Sequence, residues 1–223
     1  MGIDRLHFRG DDVPDLAILI LLTESGTHTG LLYRFELQLY VLDLLWHERF
    51  RVAPTRNDHH FVVPDLLEEE VIEVAAACQL IVLRRRQRGP QLLKYGFGLP
   101  KDPIVNRDGE ILFGGSVGLT CATLVLAIFE AVRIPFVDYA DWVARPEDDA
   151  RHRRLLGMIR TGIPGQIPPA DAAHIDKMEK ELPCIRVRPE EVAAIGLCDQ
   201  RPAKLSQVEP IGKLIIKLIS DKN

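Results

Sequence analysis

The stretch GLTCATLVLAIFEAV, residues 118–132, predicts the central element of the fold. From Cys121 to Val132 every residue except Glu130 is small or apolar, which is typical of a helix that is buried on nearly all sides. A glycine-bearing segment, residues 114–118, leads into this helix. We therefore expect the other elements of the chain to pack around it.

Cys121, in the first turn of this helix, is the strongest candidate for a chemically active residue. The unpaired N–H groups and the dipole at a helix N-terminus stabilise a thiolate and can hold an oxyanion. Thr120 is expected to cap the helix, and the N–H of Cys121 is expected to contribute to the oxyanion site. The alternative is a purely structural role, because cysteine is among the most frequently buried residue types.

Three apolar segments near the N-terminus predict antiparallel strands. Residues 15–23 contain a continuous apolar run that predicts a buried strand, closed by a turn at residues 24–26. Two further segments, residues 28–35 and 39–52, are rich in Leu, Tyr, Val and Phe. The link between them, residues 36–38, contains no Gly or Asn, so the hairpin prediction depends on spacing rather than on turn chemistry.

A thiol nucleophile needs a base, and His28 at the start of the second strand is the candidate. If residue 36 pairs with residue 39, His28 faces His47 across the ladder, and one imidazole could orient the other. The alternative is that His47, beside Trp46 and Glu48, is only a surface residue at a strand end. A slip of one residue would turn His47 to the opposite face. The residues that would then remain as orienting partners are Asp43 and Glu48.

The remaining histidines and cysteines predict no further chemistry. Adjacent residues in a loop rarely bind one ion together, so His59 and His60 are expected in an exposed loop rather than at a metal site. Cys78 falls on the apolar face of a predicted helix and is expected in the core. The absence of any Cys-x-x-Cys or close cysteine pair indicates reduced thiols and a cytoplasmic location. The histidines expected at the surface are His7, His152 and His174.

Further segments predict the remaining elements. A helix that opens at residues 64–65 has glutamates near its start and residues Arg84, Arg85 and Arg86 near its end, which matches the helix dipole. Residues 91–115 contain several Gly and Pro residues and predict loops with one or two short strands. The other predictions are an exposed helix at 148–160, a loop at 163–169, helices at 170–181 and 189–195, and a strand or helix at 211–219.

Composition excludes several classes of protein. The chain has 223 residues, of which 47% are hydrophobic and 27% are charged, and this excludes a disordered chain. The formal net charge of −4 does not favour nucleic acid as a partner. The longest apolar run, residues 16–22, is far too short to span a bilayer, and the acidic N-terminus is unlike a signal peptide.

The order of these motifs resembles the circularly permuted branch of the NlpC-type papain-like cysteine hydrolases, the YiiX-like and lecithin-retinol-acyltransferase-like proteins. The resemblance covers about residues 10–135 and rests on THTG, residues 27–30, at a strand start and on LTCA, residues 119–122, at a helix start. Tyr95 resembles the Tyr-bearing segment that precedes the cysteine helix in that family. Threonines stand where relatives usually have Ser or Asn, at Thr27 and Thr120.

This resemblance implies an α+β, permuted papain-like fold. An antiparallel sheet would pack on the buried helix that bears the nucleophile. Residues 1–145 would form the hydrolase domain, and about residues 10–135 of it carry the resemblance. Residues 146–223 would form a mostly helical C-terminal extension that packs on this domain.

The resemblance also implies a thiol hydrolase or acyltransferase that cleaves an amide or ester bond through a thioester acyl-enzyme, with no metal or organic cofactor. Cys121 would attack the acyl carbon, His28 would take and return the proton, and His47 would orient His28. A peptide or a lipid-type acyl compound would be the substrate. The alternative is a non-catalytic binding module on the same fold, in which residues 146–223 bind a protein partner.

Overall fold

The computed structural model describes residues 3–23, 26–56, 58–114, 117–162 and 169–222. Within these residues the fold is α+β, with a six-stranded antiparallel sheet, a separate two-stranded sheet and six α-helices. Three parts of the sequence predictions lie outside the described residues. They are positions 24–25 of the predicted turn, positions 115–116 of the glycine-bearing segment, and positions 163–168 of the predicted loop.

The large sheet has the strand order β1-β6-β2-β3-β4-β5, and every neighbouring pair is antiparallel. The single strand expected at residues 39–52 is two strands, β4 and β5, separated by a tight connection. The strands are β1 (Leu6–His7), β2 (Leu16–Thr23), β3 (Gly26–Phe35), β4 (Gln38–Leu44), β5 (Phe50–Pro54) and β6 (His60–Val62). The small sheet pairs β7 (Lys101–Val105) with β8 (Ile111–Gly114).

The β3–β4 hairpin has a register that differs from the predicted one. Its closing pair is Phe35 and Gln38, so the predicted pairing of residue 36 with residue 39 is wrong. The turn residues Glu36 and Leu37 have φ values of 49° and 63°. Two-residue turns of this left-handed kind match the twist of paired strands and usually use Gly or Asn. The side chains of Glu36 and Leu37 gave no signal for this turn.

The six helices fall on the predicted segments, with shifts of up to six residues at their ends. The helix expected to be exposed at 148–160 is amphipathic instead, because Leu155, Leu156 and Ile159 are buried on one of its faces. The first helix begins at Glu68, after the predicted opening at residues 64–65. The segment that could be strand or helix is a helix, and Val208, Ile211, Ile215 and Ile219 form its buried face. The helices are α1 (Glu68–Arg88), α2 (Cys121–Ala131), α3 (Pro146–Thr161), α4 (Ala172–Lys180), α5 (Pro189–Gly196) and α6 (Leu205–Ser220).

The main hydrophobic core lies between one face of the large sheet and the helices. Helix α2 is at its centre, and every residue from Cys121 to Phe129 is buried, as the sequence predicts. Helix α5 packs against β2, β3 and α2, so the C-terminal helices belong to the same hydrophobic cluster as the sheet. In the described part of the chain, no helix has the length and apolar character that crossing a membrane requires.

Candidate active site

Cys121 is the first residue of α2, and the cap predicted at Thr120 is confirmed. The Thr120 hydroxyl oxygen accepts a hydrogen bond of 3.1 Å from the N–H of Thr123, and the Thr120 N–H donates to the Thr123 hydroxyl at 2.7 Å. The pair satisfies two backbone groups and fixes where the helix begins. The Cys121 thiol therefore lies at the positive end of the α2 dipole.

Two glycines bring the chain around Tyr95 close to the segment that precedes Cys121. The N–H of Leu119 donates to the carbonyl of Lys94 at 3.0 Å, and the N–H of Gly96 donates to the carbonyl of Leu119 at 3.3 Å. A Cβ atom on Gly96 would lie 2.4 Å from the backbone N of Gly118, and a Cβ on Gly118 would lie 2.3 Å from the Lys94 oxygen. No side chain fits between these segments.

Glu181, just after α4, holds the same two segments from the other side. Its carboxylate accepts hydrogen bonds from the backbone N–H groups of Phe97 at 2.8 Å, Gly98 at 3.1 Å and Val117 at 3.3 Å. A carboxylate that accepts several N–H bonds satisfies backbone donors that would otherwise be buried without partners. No sequence pattern indicates this role, because Glu181 lies far from these partners along the chain.

His28, on β3, and Cys121 line the same cavity and act on each other electrostatically. Its Nε2 atom is 2.9 Å from Oδ2 of Asp43, so Nδ1 is the ring nitrogen that remains for the thiol. Asp43, on β4, is fully buried, and its other oxygen accepts from Nε of Arg51 at 2.8 Å. The structure therefore lines up a thiol, an imidazole and a carboxylate.

The charges of this cluster favour a thiolate and an imidazolium. Burial opposes protonation of His28, but its hydrogen bond to Asp43 and its interaction with Cys121 outweigh burial and raise the pKa of His28 to about 10. Burial likewise opposes ionisation of Cys121, but the interaction with the neighbouring His28 imidazolium holds the pKa of the thiol below its usual value. Burial would raise the pKa of Asp43, but hydrogen bonds from His28 and Arg51 lower it.

His47 does not face His28, so the predicted pairing of these two residues is wrong. It follows the end of β4, and its Nδ1 accepts a hydrogen bond of 3.2 Å from the N–H of Tyr95. Its ring lies 4.8 Å, centroid to centroid, from the ring of His174. Asp43, one of the two alternatives from the sequence, is the residue that contacts His28, whereas Glu48 contacts His47.

Four further histidines are less exposed than the sequence predicts. His152 and His174 are buried at 1% and 3% exposure, although they lie in polar stretches of sequence. The ring of His152 stacks on Phe97, and Nε2 of His174 is 2.8 Å from the Tyr95 carbonyl oxygen. The exposed loop expected at His59 and His60 is also wrong. His60 is buried in β6, and His59 is largely buried where it lines the cavity that contains Cys121.

A cavity of about 330 Å³ opens onto Cys121 and His28. One wall comes from β3, the end of β4 and the start of α2. The lining also includes residues of α3 and of the segment that leads into α5, among them Arg151, His152 and Arg186. Residues of the predicted C-terminal extension therefore line the same cavity as the candidate dyad.

Cys78 is fully buried, as predicted, and burial raises the pKa of its thiol. All four cysteines are free. Among the described residues, no group of three or more His, Cys, Asp and Glu side chains could hold a metal ion. Comparisons with protein-family models, with curated proteins and with solved structures found no match for this chain.

Proposed function

We propose that this protein is a cysteine-dependent hydrolase or acyltransferase on a permuted papain-like fold. The observation that carries the proposal is the arrangement of Cys121, His28 and Asp43. A cysteine in the first turn of a buried helix contacts a histidine on a strand, and a buried carboxylate on the next strand contacts the same histidine. Nucleophile, base and orienting group have this order in thiol hydrolases.

In the first half of the reaction, the Cys121 thiolate attacks the acyl carbon of an amide or ester. A sulfur–carbon bond forms, and the carbonyl π electrons move to the oxygen, where the N–H of Cys121 at the α2 N-terminus can stabilise the charge. As the tetrahedral intermediate collapses, the bond to the amine or alcohol breaks. His28 donates its Nδ1 proton to that leaving group, and a thioester remains.

In the second half, His28 is neutral and acts as the base. It takes a proton from water, or from an alcohol or amine acceptor, as the oxygen or nitrogen of that molecule attacks the thioester carbon. Collapse of this intermediate breaks the sulfur–carbon bond and returns the Cys121 thiolate and the His28 imidazolium. Water as the acceptor gives hydrolysis, and another nucleophile gives acyl transfer.

Asp43 takes the orienting role in this proposal, in place of His47. Its Oδ2 lies 2.9 Å from Nε2 of His28, which keeps Nδ1 directed towards the thiol. Arg51 holds the carboxylate from the other side. Because the Asp43 carboxylate is buried, its charge acts on His28 with little screening by water.

The test is the reactivity of Cys121 at pH 6.5. We expect iodoacetamide to label Cys121 at least about tenfold faster than it labels glutathione, whose thiol is almost fully protonated at this pH. Cys184 is the internal control, because it is more exposed than Cys121 and its surroundings raise its pKa to about 12. If Cys121 reacts no faster than Cys184, the thiolate mechanism is wrong.

A second measurement tests turnover. A vinyl sulfone probe should label the wild-type protein at Cys121, and the Cys121→Ala variant should not be labelled. Amide, ester and thioester substrates that release a fluorophore should be cleaved by the wild type and not by Cys121→Ala. A reactive Cys121 without turnover of any acyl compound would favour the non-catalytic binding module.

A further inference from the structure

His47 and His174 hold the backbone of Tyr95 from two sides. The N–H of Tyr95 donates to Nδ1 of His47 at 3.2 Å, and the carbonyl oxygen of Tyr95 lies 2.8 Å from Nε2 of His174. A backbone N–H only donates and a carbonyl oxygen only accepts, so Nδ1 of His47 carries no proton and Nε2 of His174 carries one. The His47 ring must therefore be neutral for this contact to exist.

The backbone around Tyr95 is also tied to the residues that precede the nucleophile. Tyr95 and Leu119 form a parallel β-bridge, and the N–H of Leu119 donates to the carbonyl of Lys94 at 3.0 Å. Leu119 is followed directly by the cap Thr120 and by Cys121. Tyr95 itself lines the cavity that contains the thiol. A shift of the Tyr95 backbone would therefore move the start of α2.

Burial favours the neutral form of both histidine rings. Their centroids are 4.8 Å apart and both side chains are buried, so two imidazolium ions at this place would repel each other with little screening by water. Burial and the charge of His174 lower the pKa of His47, against the opposite effect of Glu48. Burial also lowers the pKa of His174, although the hydrogen bond to the Tyr95 carbonyl acts in the other direction.

The charged groups that face these two rings largely balance one another. Lys94 and Asp171 form an ion pair, with Nζ and Oδ2 3.5 Å apart, and Oε1 of Glu48 lies 3.8 Å from Nε2 of His47. Burial and the repulsion between the two rings therefore decide where they titrate. The charged residues that face them are Glu48 and Arg49 beside His47, Lys94 beside Tyr95, Asp171 at the start of α4, and Glu181 after it.

We infer that His47 and His174 are positioning residues for Cys121, and that protonation of His47 releases the Tyr95 segment and slows reaction of the thiol. This inference rests on the proposed function. When Nδ1 of His47 takes up a proton, a donor faces the Tyr95 N–H and the hydrogen bond is lost. Protonation of His174 leaves its contact intact, because Nε2 still donates.

The direction of the pH effect follows from the lowered pKa of His47. The ordinary pKa of histidine is about 6.5, so the ring is neutral in the folded protein at pH 7 and above, and the contact with Tyr95 is complete. As the pH falls through the lowered pKa of His47, the contact is lost. Reaction of Cys121 should therefore decline in acid through protonation of His47 as well as of the thiol itself.

Two variants of His47 separate the hydrogen bond from the charge. His47→Asn keeps an acceptor oxygen close to the position of Nδ1 but does not titrate, and His47→Leu has no acceptor. At pH 7.5 we expect iodoacetamide to label Cys121 at least about fivefold more slowly in His47→Leu, because a buried N–H has lost its partner. His47→Asn should restore the rate to within about twofold of the wild type.

At pH 5 the order of the rates should change. The wild type has lost the contact by then, whereas the asparagine oxygen still accepts from Tyr95, so His47→Asn should react at least about threefold faster than the wild type. His7→Asn is the matched control, because the same change is made on β1, away from the cavity, and its rates should equal those of the wild type at both pH values. Mass spectrometry of the labelled peptides assigns each rate to Cys121.

The matched pair at His174 tests the other side of the Tyr95 backbone. The amide nitrogen of His174→Gln can still donate to the Tyr95 oxygen, whereas His174→Leu cannot. At pH 7.5 we expect Cys121 to react several-fold more slowly in His174→Leu and at close to the wild-type rate in His174→Gln. Equal rates in His174→Leu and the wild type would remove His174 from the inference.

Three results would refute the role of His47. They are a wild-type rate in His47→Leu at pH 7.5, a rate in His47→Asn as low as that in His47→Leu, and a rate in His47→Asn at pH 5 that is no higher than that of the wild type. A purely structural role predicts the last of these. Wild-type Cys121 that reacts no faster than Cys184 at pH 6.5 would instead refute the proposed function, so the two failures are distinguishable.

Discussion

The backbone of Gly30 lies against the Cβ atom of Asp43, and any side chain at position 30 would collide with that atom. A Cβ on residue 30 would be 2.7 Å from the Asp43 Cβ and 2.7 Å from the carbonyl oxygen of Leu42. Gly30 lies two residues after His28, so both face the same side of β3. The missing side chain at Gly30 gives Asp43 room to reach Nε2 of His28.

Replacing Gly30 with Ala should therefore damage the dyad as well as the sheet. The added methyl group must push Asp43 away from His28 or separate β3 from β4, and overpacking of this kind costs about 1–3 kcal/mol of unfolding free energy. We expect iodoacetamide labelling of Cys121 at pH 6.5 to slow at least about fivefold. Wild-type labelling in a destabilised Gly30→Ala protein would show that Asp43 does not act through His28.

The pH dependence of Cys121 alkylation should report the contact with His28. Since the pKa of Cys121 is lowered, the wild-type midpoint should lie below about 8.5, the value of a free thiol. In His28→Gln the lowering contact is lost while burial remains, so the midpoint should rise to about 8.5 or above. His7→Gln is the control, because His7 lies on β1, away from the cavity. An unchanged midpoint in His28→Gln would mean that the two residues do not interact.

Asp43→Asn should remove a pH-dependent part of the stability. The folded-state pKa of Asp43 is lowered, so its contribution is present above the unfolded value of about 3.9 and is lost as the pH falls through the folded value. Breaking this buried pair should cost about 3 kcal/mol at pH 7, and the difference from the wild type should shrink below pH 4.

Urea unfolding between pH 7 and pH 3, followed by tryptophan fluorescence, measures this difference. Asp12→Asn is the matched control, because Asp12 is exposed and its replacement should change stability by less than about 0.5 kcal/mol. A difference between wild type and Asp43→Asn that stays constant down to pH 3 would show that the carboxylate charge makes no contribution.

Two glycine-to-alanine variants should shift thermal stability in opposite directions. In Gly118→Ala the Cβ would lie 2.3 Å from the Lys94 oxygen, so we expect a loss of about 3 kcal/mol and displacement of Cys121. In Gly157→Ala, within α3, the Cβ would meet nothing within 4 Å, so we expect a gain of about 0.5–1 kcal/mol. Equal melting temperatures for the two variants would contradict the close approach of residues 94–96 to residue 118.

The sequence was sufficient to identify the parts of the site that depend on local structure. The apolar run from Cys121 to Val132 predicts a buried helix, and Thr120 predicts its cap, because both features act within a few residues. The position of His28 at a strand start follows from the pattern of apolar residues in the same way. The roles of Cys121 and His28 in catalysis remain proposals.

The orienting residue could not be predicted, because it depends on the hairpin register. Glu36 and Leu37 form a left-handed turn without the Gly or Asn that usually indicates one. The predicted register placed His47 opposite His28, whereas the observed register places Asp43 within reach of it. Register is fixed by tertiary packing of one sheet face, which is not visible in the hairpin sequence itself.

The burial of His152 and His174 was also beyond reach of the sequence. Both lie on helices among charged residues, and both become buried through contacts with a distant segment, residues 95–97. The same holds for Arg151 and Arg186, which line the cavity although they belong to the C-terminal region without a counterpart in the resemblance. Polar residues that are buried only by tertiary contacts leave no periodic pattern.

His28 and Cys121 belong to β3 and α2, elements that are separated by α1 and the small sheet along the chain. Before α2 has packed against β3, Cys121 is an ordinary thiol that is mostly protonated at neutral pH. Peroxides and disulfides react with the thiolate, so the small thiolate fraction of the unfolded chain slows oxidation at this residue. The lowered pKa of the Cys121 thiol therefore arises only when α2 packs against β3, as the cavity that limits access to this thiol forms.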